Sequence, residues 1–232
     1  MEKTKEDEMK RTELKGLYEK YWGLYLTNIR DNNQIDAAYP YLIKLPENYE
    51  ENCYHVMICG QETYGWGGEF YNNKENATID ALQELYDGFA NKGGYNSPYW
   101  NFVNYLRDNC ENVSFVINNI VKIGKKYEAG CDDAINELTL KYFPVFREEL
   151  NILRPNMIVF LTHNRYDNRI KAILGDFQVD NMENSVCLSK LVFSDMKIPL
   201  AIRTCHPGYL RRIHKEKEVR SILAEMINDK KK

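Results

Sequence analysis

The sequence predicts an α/β fold: a three-layer α/β/α sandwich around a central, mostly parallel four-stranded sheet. Three observations carry this. Four apolar runs have strand length, HVMICG (55–60), VSFVIN (113–118), MIVFLT (157–162) and PLAIRT (199–204). They lack the strict polar alternation of a strand with one wet face, so each reads as buried on both sides, the condition of a parallel sheet covered by helices. The segments between them carry helical periodicity, which gives the strand–helix alternation of such a sheet.

Taken in order, Leu14, Leu17, Tyr18, Tyr21 and Tyr25 recur at helical spacing and predict an N-terminal helix over about 6–30. Helical patterns follow the first run in ATIDALQELYDGFAN (77–91) and PYWNFVNYLRDN (98–109), the second run in 132–143 and 144–154, and the third in 168–177. SVCLSKLVFSDMKIPL (185–200) can form a small hairpin or edge ladder before the last run. No repeat and no Pro-, Gly- or Ser-rich linker divides the chain, so 1–232 reads as one domain with its core over about 53–215.

Composition excludes several classes. A chain of 232 residues with 44% hydrophobic content can bury one sizeable core, and a net charge of −3 rules out a generally basic nucleic-acid coat while allowing a local patch. Lys122, Lys125 and Lys126 follow one apolar run, and Arg211, Arg212, His214, Lys215 and Lys217 another; solvated surface is their ordinary use. No run approaches membrane-spanning length and MEKTKEDEMKRTELK lacks the apolar centre of a signal peptide, so a cytoplasmic protein without a membrane partner is expected. Six scattered cysteines without a CxxC pair read as reduced, mostly buried thiols. His55, His163, His206 and Cys205 lack metal-ligand spacing, and His163 with a cysteine lacks a nucleophile turn. Neither phosphate-loop nor dinucleotide fingerprint is present, so no metal and no cofactor is expected.

In an open α/β sheet, the loops after the carboxyl ends of the strands converge on one crevice. Here those loops carry Gly60, Gln61, Glu62, Thr63 and Tyr64; then Asn118 and Asn119; then Thr162, His163 and Asn164; and finally Cys205 to Arg211. Together they supply a carboxylate, amides, imidazoles, an aromatic and cations.

Several of these segments resemble motifs of the uracil-DNA glycosylase superfamily, in that family's order. GQETY (60–64) resembles its GQDPY motif, VINNIVKI (116–123) its LLNxxLTV segment, and HPGYLRR (206–212) its HPSPLS motif; SPYWNF (97–102) and MIVFLTHNRYDNRI (157–170) resemble two intervening segments. The resemblance covers roughly 53–215 and implies that family's α/β fold and a cofactor-free hydrolase that removes a damaged or deaminated base from DNA. It implies Glu62 as the carboxylate that positions water and offsets the positive sugar, and His206 as stabiliser of the departing base. It further implies Gln61, Tyr64 and Asn118 in base binding, Leu210 as the wedge entering the duplex, and Arg211 and Arg212 near phosphates. The residue types suit the chemistry: glycosidic cleavage develops an oxocarbenium-like sugar and an anionic base, and base flipping needs an aromatic wall, an edge-reading amide and a wedge. The sequence departs from the motifs at Glu62 (one methylene longer than aspartate), Thr63 (for proline), Gly65, Gly208 and Tyr209.

Each residue also has a structural use. Glu62 can cap a helix or pair with an arginine, Asn118 can satisfy loop backbone, His206 can be a packed turn residue, Leu210 can lie on the last helix's apolar face, and Tyr64 and Trp66 can be core or rim aromatics. A non-catalytic nucleic-acid or nucleobase binder on the same scaffold is the rival from another class. The partner expected under either reading is DNA, with strandedness open. The tyrosine-rich N-terminal helix adds a protein-docking or self-association surface as a third use.

Overall fold

A computed structural model describes residues 2–47, 49, 54–130, 132–182, 187–194 and 198–230. Intramolecular contacts group the chain into two compact units: Met1–Pro46 with Gln61–Gly88 and Asn118–Leu153, and Glu47–Gly60 with Phe89–Ile117 and Arg154–Lys232.

The first unit is built on helix α1 (Glu2–Tyr25), continued by a π turn to Arg30, which matches the expected 6–30 helix. Its apolar positions Leu14, Leu17, Tyr18 and Tyr25 are buried, and α1 packs on α2 (Ile79–Tyr86), α4 (Asp133–Tyr142) and α5 (Phe146–Leu153). Tyr18 and Tyr25 therefore serve this unit's own core, while Tyr21 is half-buried. Side-chain caps start two of these helices: Thr78 accepts from the Ala81 N–H at 3.1 Å, and Asp132 from that of Ile135 at 3.1 Å.

The second unit holds the sheet and α3 (Pro98–Asn109), α6 (Asp167–Leu174), α7 (Pro207–Arg212) and α8 (Glu216–Lys230). The strands are β1 (Tyr54–Gly60), β2 (Val113–Asn119), β3 (Met157–Leu161), β4 (Phe177–Asn181), β5 (Leu188–Phe193) and β6 (Ala201–Thr204), in the order β2-β1-β3-β6-β5-β4. β1, β3 and β6 are parallel neighbours; β5 runs antiparallel to β6, and β4 to β5. All five β3 side chains are fully buried, as an apolar run covered on both faces requires.

The α/β class is as read, but among the described residues the sheet has six strands and not four. The hairpin or edge ladder anticipated within 185–200 is in part the strand β5, which lies between β6 and β4 and not at the edge, although residues 185, 186 and 195–197 lie outside the described ones. β4 was assigned in part to a helix: only Phe177 and Val179 are apolar, and all of the strand beyond Phe177 is exposed. Such an edge strand owes its form to pairing with its neighbour, not to burial. Cys59 and Cys110 are buried free thiols and Cys187 and Cys205 are half-buried ones; Cys53 and Cys131 lie outside the described residues. No described helix is long and apolar enough to cross a membrane.

Candidate functional site

Register fixes the geometry of the sheet's carboxyl edge. Cys59 pairs with Phe160, Phe160 with Arg203, and Leu161 with Thr204, so the chain leaves β1 at Gly60, β3 at Thr162–His163 and β6 at Cys205–His206 along one edge. The His163 N–H continues this ladder by donating to the Thr204 carbonyl at 2.9 Å.

His206 caps α7. Its Nδ1 accepts from the Gly208 N–H at 3.1 Å, so that nitrogen carries a lone pair and the neutral ring holds its proton on Nε2. The imidazole stacks on Tyr99 from α3, with centroids 6.0 Å apart and planes at 19°. Burial lowers the His206 pKa below the ordinary imidazole value of 6.5. A neutral, oriented Nε2–H donor is the result.

The rest of α7 differs from expectation. Leu210 is fully buried, so it packs in the interior of its own unit and presents no wedge; it does so from α7 and not from the last helix, α8. The Arg211 guanidinium is bound by Glu216 at 2.7 and 3.2 Å, and that of Arg212 lies 5.0 Å over the Tyr209 ring. Both arginines remain on the surface.

In the first unit, the Gln61 carbonyl accepts from the Val121 N–H at 2.9 Å and the Gly65 N–H donates to the Lys125 carbonyl at 3.3 Å. These bonds hold the Glu62 loop against the segment after β2. Gly124 makes the approach possible, because a Cβ there would overlap the Thr63 carbonyl oxygen. Gly124→Ala is expected to displace this loop and cost about 1–3 kcal/mol, measured as a lower denaturation midpoint. Glu62 is half-buried, whereas Tyr64 is 70% exposed, so Tyr64 does not wall a pocket here.

Asn118 is fully buried and turned inward. Its Nδ2 donates to Glu149 Oε2 at 2.9 Å, and its Oδ1 accepts from Lys122 Nζ at 2.8 Å and from the Asn119 N–H at 2.9 Å. Lys122 Nζ also donates to the Glu149 carboxylate at 2.8 and 3.1 Å, and the Tyr18 hydroxyl donates to Glu149 Oε1 at 2.8 Å while accepting from the Ile43 N–H at 3.0 Å. Lys122, read as surface with Lys125 and Lys126, is instead 2% exposed. The amide read as a base reader is engaged with this ion pair.

No protein-family model matches the chain, and no curated protein matches it. Among the described residues, no group of three or more His, Cys, Asp or Glu could hold a metal ion. The reading of the site therefore rests on local chemistry and motif order.

Sequence reasoning passed over Tyr99, which orients His206, and weighed His163 only as a nucleophile's partner or metal ligand. His163 pKa is also lowered, first by burial and then by Arg165 and Arg203, against a raising influence from Asp167. Both imidazoles thus bind protons less readily in the folded chain than in the unfolded one. Stability is full above the ordinary value of 6.5 and is lost as pH falls below it toward the lowered native values. Melting temperature should be level from about pH 8 to about pH 7 and decline below that. A His206→Gln variant should show a shallower decline; an equal decline in both chains would remove His206 from this account.

Proposed function

We propose that this chain is a divergent uracil-DNA glycosylase-like hydrolase that breaks the N-glycosidic bond of a damaged or deaminated base in DNA without a cofactor. The observation that carries the reading is the His206 ring, neutral and with its proton held on Nε2 by the Gly208 N–H. When the C1′–N bond breaks, its electron pair goes to the base, and a neutral N–H donor stabilises the anion as it forms. Water adds to the sugar carbon and its proton ends on the base. A carboxylate offsets the sugar cation, the part assigned to Glu62. The ordered motifs from Gly60 to Arg212 support the same reading.

Two observations favour a second reading, a non-catalytic nucleobase or nucleic-acid binder: the Asn118 amide faces an internal ion pair, and Leu210 is buried. A single experiment separates them. Oligonucleotides, single- and double-stranded, carrying uracil, hypoxanthine or an alkylated base are incubated with the chain and with Glu62→Gln, and abasic sites are scored on a gel. The hydrolase reading expects strand scission after alkali with one of these bases, reduced by about 10²-fold or more in the variant. No abasic product from any substrate, with salt-dependent retention on DNA, would establish the binder instead.

A further inference from the structure

We propose that His163 is a specificity-determining residue, a second imidazole at the sheet's carboxyl edge that reads the edge of the bound heterocyclic base; this rests on the function proposed above. The backbone is the first indication. His163 sits at φ 62°, ψ 166°, a region confined almost entirely to glycine because a Cβ crowds the adjoining peptides. The hydrogen bonds that hold this turn do not need the side chain: the main-chain N–H donates to Thr204, and the carbonyl accepts from the Tyr166 N–H at 3.3 Å. Glycine would make both without strain.

The side chain is the second indication. Nδ1 of His163 is buried and has no hydrogen-bond partner among the described residues, so the ring gives the fold no polar bond there in return for the strain. Its aromatic neighbour is Tyr209, whose ring lies 6.0 Å away at 62°. Tyr209 is 41% exposed on α7, the helix that His206 caps. Strain and an unsatisfied polar atom held together at a sheet's carboxyl edge are the marks of a residue kept for a ligand. A neutral imidazole nitrogen is a donor or an acceptor according to the tautomer, so the ring can favour one base edge over another.

The test separates this role from a structural one. His163→Gly and His163→Asn are compared with the parent chain by thermal melting, by the ratio of kcat/KM for the preferred base over the next, and by calorimetric binding of free uracil and hypoxanthine. His163→Gly is expected to melt at the same or a higher temperature and to lose about tenfold in base discrimination. His163→Asn, which carries the same backbone strain as histidine and keeps a side-chain donor and acceptor, is expected to retain most of it. A lower melting temperature in His163→Gly, or an unchanged base ratio beside an active parent, overturns the assignment and leaves the function standing. If the parent releases no base, the calorimetry decides: weaker base binding in His163→Gly sustains the assignment without catalysis, unchanged binding overturns it alone, and no binding by the parent overturns both.

Discussion

Glu149→Ala is expected to destabilise the chain by about 3–5 kcal/mol, the largest stability effect of any single substitution considered. Lys122 is 2% and Glu149 0% exposed, so deleting the carboxylate leaves an ammonium inside the fold without its counter-charge. The Tyr18 hydroxyl loses its acceptor in the same step. By contrast Lys44–Glu84, whose side chains are 30% and 69% exposed, should be worth less than about 1 kcal/mol. Replacing both partners, as Lys122→Met with Glu149→Leu, removes the stranded charge and should recover more than half of the loss. Recovery stays incomplete because the Tyr18 hydroxyl and the Asn118 amide both lose the Glu149 carboxylate as acceptor, each loss costing about 1–3 kcal/mol. Urea denaturation of Lys122→Met, of Glu149→Leu and of the double variant provides the cycle, with Glu149→Ala measured beside them. Equal losses in Glu149→Ala and the double variant would mean that the two charges do not offset one another in the fold.

The same pair shows why the sequence was legible in some places and closed in others. β1 and β3 were readable because runs such as Met157–Leu161 are buried on both faces, a condition that only apolar residues satisfy. α2 and α4 were readable from the helical periodicity of 77–91 and 132–143, and the caps Thr78 and Asp132 that start them are local events within four residues. Lys122 was read as surface because its partner Glu149 lies 27 residues on, on helix α5, and no local pattern reports that distance. β4 was lost for the opposite reason: Gln178, Asp180 and Asn181 bury nothing and gain their form from pairing with β5. At the candidate site the motif located His206 but not its tautomer, which depends on the Gly208 N–H, nor Tyr99, more than a hundred residues earlier. Leu210 illustrates the converse, a motif position whose apolar character serves the interior of its own unit.

His206→Ala is expected to lower the rate of base release by about 10²–10³-fold, the effect of losing one oriented donor to a developing anion, equivalent to about 2.7–4 kcal/mol. The loss should fall on kcat more than on KM, because the donor is strengthened as charge reaches the base and contributes little to ground-state binding. A second variant separates the donor's orientation from its presence. A Cβ at Gly208 would lie 3.3 Å from His206 Nδ1, tight enough to push the ring by a few tenths of an ångström, while alanine in a helix favours folding by up to about 1 kcal/mol over glycine. Gly208→Ala should therefore melt no lower than the parent and release base about tenfold more slowly. Slower turnover in a chain of equal or greater stability assigns the loss to the aim of Nε2. If His206→Ala instead retains rates within a few-fold of the parent while Glu62→Gln does not, stabilisation of the sugar cation carries the reaction and the departing base needs no donor from this ring.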